Sequence, residues 1–391
     1  MSRAVVNTTL VIGACVVYVV LAAWSGRTSI NGGLGAQGSV YAAMAIDRNL
    51  QAAPAVMKLA AAFPLATAIA YTATGNAVAS FLAVTIAAFV VLVFAACWLL
   101  DLLSAPSSLK IVTVATLCVL GVPSLTSAFD PGHPVLLGVA LATLGVAAAE
   151  WGSGVVTGIL HIGATLGSPV GIVAPLYGIW RHIRARRPPA KALVYLPALL
   201  VWLAVQYWAR GGAAGLGDLI SVSRVRADAA FWTESAFVTY AVYFLLTALG
   251  GLTLLLWADP RAIQETVSSR PAVLALFVPA IPFIATAGLE LPRVLAFLLP
   301  LWLILVAEWG RRNAMRLMIP LLLACVLTLL TQHPWMRMTD TSYFVDWFPY
   351  SVSAGRVDVT RAGFDAVWRV RILIAAAGLA AFVVWRRKFV R

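Results

Sequence analysis

Two carboxylates, Asp47 and Asp130, each stand in a polar stretch between apolar runs. In such a place a carboxylate can take a proton from a hydroxyl group. Asp130 opens the segment Asp130-Pro131-Gly132-His133-Pro134, so an imidazole follows it by three positions. Arg293, in Glu290-Leu291-Pro292-Arg293, carries a planar guanidinium fork shaped to hold a phosphate. Lys58 adds a second cation within an otherwise apolar run. Each of these has a plainer reading beside the chemical one. Asp47 with Arg48 suits a solvated loop pair. Asp130 and His133, flanked by Pro and Gly, suit the capping of a turn. Glu290 and Arg293, three apart, suit a mutual ion pair. His161, alone in an apolar stretch, reads as a packed histidine rather than a proton relay.

Other chemistries find little footing. There is no Walker loop, no HExxH and no Ser-His-Asp order with supporting context. Gly32-Gly33-Leu34-Gly35 lacks the strand-to-helix setting of a phosphate loop. Cys15, Cys97, Cys118 and Cys325 all fall inside apolar runs without a CxxC pair, which makes them packing residues and gives no metal site. No cofactor can be named from the sequence. The aromatic group Tyr343, Phe344, Trp347, Phe348 and Tyr350 suits an interfacial belt.

The elements that must position these residues are membrane helices. Of 391 residues 62% are hydrophobic and 11% charged, against roughly 25% charged in soluble domains. That leaves too few charges to clothe a water-soluble surface. The apolar runs are of the length, about 17–25 residues, that crosses a hydrocarbon core of about 30 Å. The net charge of +13 resides in short flanks of those runs: Arg181, Arg184, Arg186, Arg187 and Lys191; then Arg311, Arg312 and Arg316; and Arg386, Arg387, Lys388 and Arg391. This is the positive-inside pattern, with anionic lipid as the counterpart and no nucleic acid implied.

The chain reads as a single membrane domain over 1–391, all-α, with about 11–12 membrane helices. The predicted helices are Val5–Trp24, Ala77–Leu103, Ile111–Thr126, Val135–Ala149, Val155–Trp180, Ala192–Trp208, Ala236–Trp257, Pro271–Ala287, Val294–Ala307, Leu317–Leu330 and Val370–Trp385. Pro54–Thr74, interrupted by Lys58 and Pro64, is either a full span or a helix at the outer interface, and the interfacial reading is favoured. Val155–Trp180 is broken at Gly167-Ser168-Pro169 and reads as two half-length helices lining a cavity. External loops are expected at about 25–54, 210–235 and 331–368. Both termini then lie in the cytoplasm, with the charges named above, apart from the basic clusters, on the outer side. Ionisable groups deep in the spans are expected to be nearly absent, His161 being the main exception.

Two segments resemble bacterial membrane glycosyltransferases of the GT-C class. Gly35-Ala36-Gln37-Gly38-Ser39-Val40-Tyr41, followed by Ala42-Ala43-Met44-Ala45-Ile46-Asp47, is similar to the loop after helix 1 in that class, of the form G-x-D-G-x-x-Y and a small-residue helix. Leu289-Glu290-Leu291-Pro292-Arg293-Val294-Leu295-Ala296-Phe297, with Pro300, resembles its late acidic–Arg–Leu-rich element. Together they cover under a tenth of the chain. The resemblance implies transfer of a sugar from a polyprenyl-phosphate donor to a cell-surface polysaccharide or glycolipid acceptor at the outer face of a bacterial cytoplasmic membrane. Within the matching segments it implies Gln37, Tyr41, Glu290 and Arg293 as substrate-binding residues; Lys58 and His133, outside them, are expected to join these from their own charge and their place on the outer side.

Two departures stand out. Gln37 occupies the place of the loop carboxylate that would act as base, and an amide takes no proton at neutral pH. Leu166-Gly167-Ser168 stands where an Arg-Glu pair is usual. The base role then falls to Asp47, the expected one, or to Asp130, or the chain keeps the architecture without the reaction. The rival expectations are a flippase for a lipid-linked glycan and a non-catalytic subunit of an envelope assembly machine.

Overall fold

The computed structural model describes residues 3–35, 37–48, 53–152, 154–186, 188–212, 245–246, 248–285, 291–332 and 361–389. Glu290, the aromatic group at 343–350, most of the expected loops 210–235 and 331–368, and the first part of the expected span Ala236–Trp257 lie outside these residues. The described secondary structure is helical, with no strand among the described residues.

The helices are α1 (Arg3–Ser25), α2 (Gly38–Ala45), α3 (Ala62–Thr74), α4 (Ala77–Leu102), α5 (Ser107–Val119), α6 (Val135–Trp151), α7 (Val155–Gly167), α8 (Val173–Arg184), α9 (Leu196–Ala209), α10 (Leu252–Ala258), α11 (Pro260–Ser269), α12 (Leu291–Ala296), α13 (Leu299–Arg312), α14 (Met318–Gln332) and α15 (Arg361–Phe389). One-turn pieces between them are named by their residues. Three helices are long and apolar enough to cross a membrane alone: Val5–Ser25, Ala77–Leu102 and Ala190–Ala209. Two bent pairs make it up to five where each pair counts as one span: Ser107–Val119 with Pro123–Phe129, bent by 53°, and Pro260–Ser269 with Pro271–Ile284, bent by 103°. At 1.5 Å per residue the 26 residues of α4 extend about 39 Å, more than a hydrocarbon core. Apolar side chains also face outward along whole helices. Ile12, Val16, Val17 and Val20 on α1, Leu200 and Leu203 on α9, and Met318, Ile319 and Leu322 on α14 are all exposed. Such surfaces suit lipid, not water.

α6 is the centre of the bundle. It is apolar on every side, and most of it is buried, Gly138, Ala140, Ala142, Gly145 and Ala147 to Ala149 among its small residues. In lipid, burying apolar area against a neighbouring helix gains little, so packing relies on close backbone approach at small residues. Gly167 of α7 meets Gly138 in this way: a Cβ built on Gly167 would lie 3.0 Å from the Gly138 Cα. α4 lies along another side of α6, and Tyr18 of α1 stacks on Phe89 of α4 with ring centroids 4.0 Å apart.

The break at Gly167-Ser168-Pro169 is real. Ser168 takes an extended backbone and caps the next turn through Val170 N–H, 3.3 Å from its hydroxyl. The freed Pro169 carbonyl accepts from Trp202 Nε1 of α9 at 2.8 Å, so the broken backbone is satisfied by protein, as membrane depth requires. The chain reverses here, because Gly167 lies by Gly138 near the start of α6 while Arg181 lies by Ala149 and Glu150 near its end. The turn before α4 is built from Gly75, at φ +61°, and Asn76, whose side chain caps Ala79 N–H at 3.0 Å. α3 therefore folds back along α4 as a hairpin of 13 residues, about 20 Å long, shorter than a full crossing.

Several boundaries differ from the sequence reading. Val294–Ala307 is split between α12 and α13 at Phe297-Leu298. Pro271–Ala287 is a series of short turns following a sharp corner after α11, since Pro271, Pro279 and Pro282 each remove a backbone donor. Helical structure resumes at Arg361, inside the expected loop 331–368.

Candidate functional site

The turn after the bent α5 is where separate segments meet. Asp130 leaves the one-turn helix Thr126–Phe129, and its carbonyl accepts the His133 N–H at 3.2 Å, closing the Asp-Pro-Gly-His turn. Thr85 Oγ1 of α4 donates to the Pro131 carbonyl at 3.3 Å, which fixes the turn against the long helix. The first loop is joined to it by the backbone: Thr28 N–H donates to the Phe129 carbonyl at 3.1 Å. Gly35, at φ +85°, then passes so close to the turn that a Cβ there would overlap the Asp130 carboxylate. Gly132 is equally constrained, because its Cβ would run into the Leu34 carbonyl and the Gly38 Cα. Two glycines on one strand of chain and one on the other thus permit a backbone approach that no larger residue allows.

α12 brings the third component. It packs on the Gly121–Leu125 segment, and Phe297, just beyond it, packs on Gly138 of α6. Arg293 is buried there at 6% exposure, and its charge acts on His133. Burial first, and then the Arg293 charge, hold the His133 imidazole well below its usual range. It is therefore neutral at pH 7. Its Nδ1 accepts the Val135 N–H at 3.2 Å, so the proton sits on Nε2. That Nε2–H is buried and donates to no group among the described residues. A neutral imidazole presenting an unused donor beside a buried guanidinium is arranged to receive an oxygen that carries negative charge. Asp130, 1% exposed, supplies a carboxylate in the same turn.

The other expected site residues fall elsewhere. Gln37 stands at the head of α2, half-buried, in the same first loop as Gly35. Tyr41 is buried one turn later, edge-on to Phe63 at 5.1 Å, and Phe63 stacks on Phe81 at 5.5 Å. It belongs to the aromatic cluster that supports the loop. Asp47 and Arg48 are exposed beyond the end of α2. Lys58 is half-buried with its ammonium 5.7 Å from the Trp208 ring centroid on α9, a cation–π contact. So Asp130 meets the Gly35–Gly38 loop and Arg293 acts on His133, whereas Asp47 is exposed beyond α2 and Lys58 meets Trp208.

The opposite end of the bundle carries charge that the sequence reading passed over. Lys110, 2% exposed, pairs with Asp101 at 2.7 Å, and Asn7 hydrogen-bonds to both, joining α1, α4 and α5. Glu150 of α6 pairs with Arg181 at 2.9 Å and accepts from the Tyr177 hydroxyl. Arg270, after α11, lies 3.6 Å from Glu150 and 2.9 Å from Glu308 of α13, which also pairs with Arg311. Gly310 packs on Leu109, so these groups share one end with Lys110. Lys110 and Glu308 are buried as His161 is, but they stand at helix ends outside the predicted spans, each held by an opposite charge. His161 is fully buried, its ring edge-on to Tyr195 at 5.0 Å, with neither ring nitrogen hydrogen-bonded among the described residues. A sequence signal for the ion network did exist, namely acidic residues in the last turns of apolar runs beside the basic flanks. Among the described residues no group of three or more His, Cys, Asp or Glu side chains is placed to hold a metal ion.

Compared with protein-family models, with curated proteins and with solved structures, the chain matches none of them.

Proposed function

We propose that this protein is a polytopic membrane glycosyltransferase of GT-C-like architecture. It moves a sugar from a polyprenyl-phosphate donor to a hydroxyl of a cell-surface polysaccharide or glycolipid. The observation that carries this reading is the buried Asp130–His133–Arg293 group, with its unused imidazole N–H, at the end of the bundle opposite the basic flanks. By the positive-inside rule that end faces outward.

In the proposed reaction the acceptor oxygen bonds to the anomeric carbon as the bond from that carbon to the phosphate oxygen breaks. The hydroxyl proton goes to the Asp130 carboxylate, and the electron pair leaves on the phosphate. Arg293 and the His133 Nε2–H offset the charge that develops there. Gln37 cannot serve as the base and Asp47 is exposed beyond the end of α2, so the general-base role passes to the buried Asp130, in the same turn as His133.

The test is a sugar-transfer assay in proteoliposomes with a polyprenyl-phosphate sugar donor. Asp130→Asn keeps the shape and removes the base, for an expected loss of about 10²–10⁴-fold in turnover. Asp47→Asn is expected to stay within about twofold of wild type, since it removes no group proposed to act in the transition state. Turnover unchanged in Asp130→Asn ends the assignment. A second reading rests on Gln37 and on the sealing of the Asp130 carboxylate by Gly35: a non-catalytic subunit in which the turn is a structural latch. It predicts no transfer by the wild type, together with a stability loss in Asp130→Asn.

A further inference from the structure

At the basic end, the helix termini enclose a hollow of about 670 Å³ that the proposed reaction does not use. We infer that it binds a phosphate-bearing anion. Four arginines, Arg261, Arg312, Arg386 and Arg387, line it against two carboxylates, Asp259 and Glu265. The carboxylates are already engaged. Arg312 pairs with Glu265, and Arg386 lies 3.4 Å from Asp259 while donating to the Ala258 carbonyl at 3.1 Å. These contacts orient two guanidiniums along the wall. Arg261 and Arg387 remain, both exposed, with no ion pair or side-chain hydrogen bond among the described residues.

Helix electrostatics accounts for part of this arrangement. Arg312, Arg386 and Arg387 close α13 and α15, where cations suit the negative end of the helix dipole. Arg261 does not fit that account. It is the second residue of α11, in a first turn that holds no acidic residue, so its charge opposes the helix dipole. A cation in that position gains from an anion held between it and Arg387. Guanidinium forks bind phosphate oxygens in pairs. Trp257 and Val383 give the hollow an apolar side as well. Such a pocket suits a phosphate ester with an apolar or glycerol portion.

The shared chemistry is the phosphate ester, and its source is either an anionic lipid headgroup or a soluble phosphate compound. The full chain, purified into nanodiscs of phosphatidylcholine with or without phosphatidylglycerol, distinguishes them. Native mass spectrometry reads retained phosphatidylglycerol, and thermal unfolding in phosphatidylcholine discs reads stabilisation by inorganic pyrophosphate. Arg261→Gln with Arg387→Gln is compared with Arg184→Gln with Lys191→Gln, which removes the same charge from exposed residues outside the hollow. The expected result is a loss of about tenfold or more in retention for the first pair, with the second within about twofold. A pyrophosphate shift in the wild type that the first pair abolishes supports the soluble source. Equal losses in both pairs, or no binding of either probe, overturn the inference. Should the glutamine pair fail to fold, Arg261→Lys with Arg387→Lys carries the same comparison, with an intermediate loss expected. The Asp130 end is untouched in every arm, so failure here leaves the proposed reaction standing.

Discussion

Gly35 lies directly on the Asp130 carboxylate: with φ at +85°, its missing side chain is the space the carboxylate fills. The contact closes a ring that also contains the Thr28 to Phe129 backbone bond and the Gly38–Gly132 approach. The first loop is thereby locked to the turn that presents His133. Gly35→Ala is expected to cost about 2–4 kcal/mol, combining left-handed backbone strain with overlap. The measurement is thermal or denaturant unfolding in detergent. In an Asp130→Ala background the overlap is relieved and the cost is expected to fall to about 1–2 kcal/mol, the strain alone. An undiminished cost would show that the carboxylate is not what meets the added methyl.

His133 gives the protein a pH dependence whose sign can be worked out. Burial and Arg293 hold the folded imidazole well below the value of 6.5 expected in the unfolded chain. Above about pH 6.5 neither state binds the proton. As the pH falls below it, the unfolded chain takes up a proton that the folded protein refuses. Stability from this group is therefore full above pH 6.5 and falls on acidification, by up to about 1.4 kcal/mol per pH unit. Unfolding of the wild type and His133→Asn, compared between about pH 5 and 7.5, isolates the contribution. The variant is expected to lose that part of the slope, and parallel profiles would show that the imidazole is protonated alike in both states.

Much of this was legible in residue type and spacing, and the remainder was hidden for identifiable reasons. The predicted helix Val5–Trp24 and the observed Arg3–Ser25 agree because a long apolar run bounded by polar residues leaves little choice. The break at Gly167-Ser168-Pro169 was visible because Gly and Pro act locally. The nearness of Asp130, His133 and the first loop was open to expectation, since all three lie in connections on the same side of the spans. Pairing across the fold was not. Glu150 and Glu308 share Arg270 only because α6, α11 and α13 end at one place, and no local pattern states that. Lys58 likewise found Trp208 rather than Arg293, which depends on how α9 packs.

The shared arginine makes a third prediction. Glu308 has a side chain 4% exposed and loses two partners, Arg270 and Arg311, if replaced. Removing one member of a buried ion group costs more than the group contributes, because the remaining charges stay desolvated. Arg270 is 31% exposed, so water recovers part of the loss. Glu308→Gln is expected to destabilise by about 1–3 kcal/mol, at the low end of that range for a buried charge. Glu150→Gln and Glu308→Gln together should deviate from additivity by about 0.5 kcal/mol or more, since both act on Arg270. Strict additivity in the double variant would mean that the two carboxylates do not communicate through it.

The last prediction concerns the two ends themselves. Ala73 is exposed near the tip of the α3–α4 hairpin, on the Asp130 side, whereas Ser107 is exposed at the start of α5 beside Lys110 and Asp101. Between them runs the 26-residue α4. If that helix crosses the bilayer, cysteines placed at the two positions face opposite compartments. An impermeant maleimide added to right-side-out vesicles is expected to label Ala73→Cys at once and Ser107→Cys only after the membrane is opened. Background labelling should be small, because Cys97 and Cys118 are buried, and Cys15 and Cys325, each half-buried on an apolar helix, are replaced by Ala beforehand. Labelling of both positions from one side would remove the crossing of α4. With it would go the assignment of the Asp130–His133–Arg293 group and the basic hollow to opposite faces.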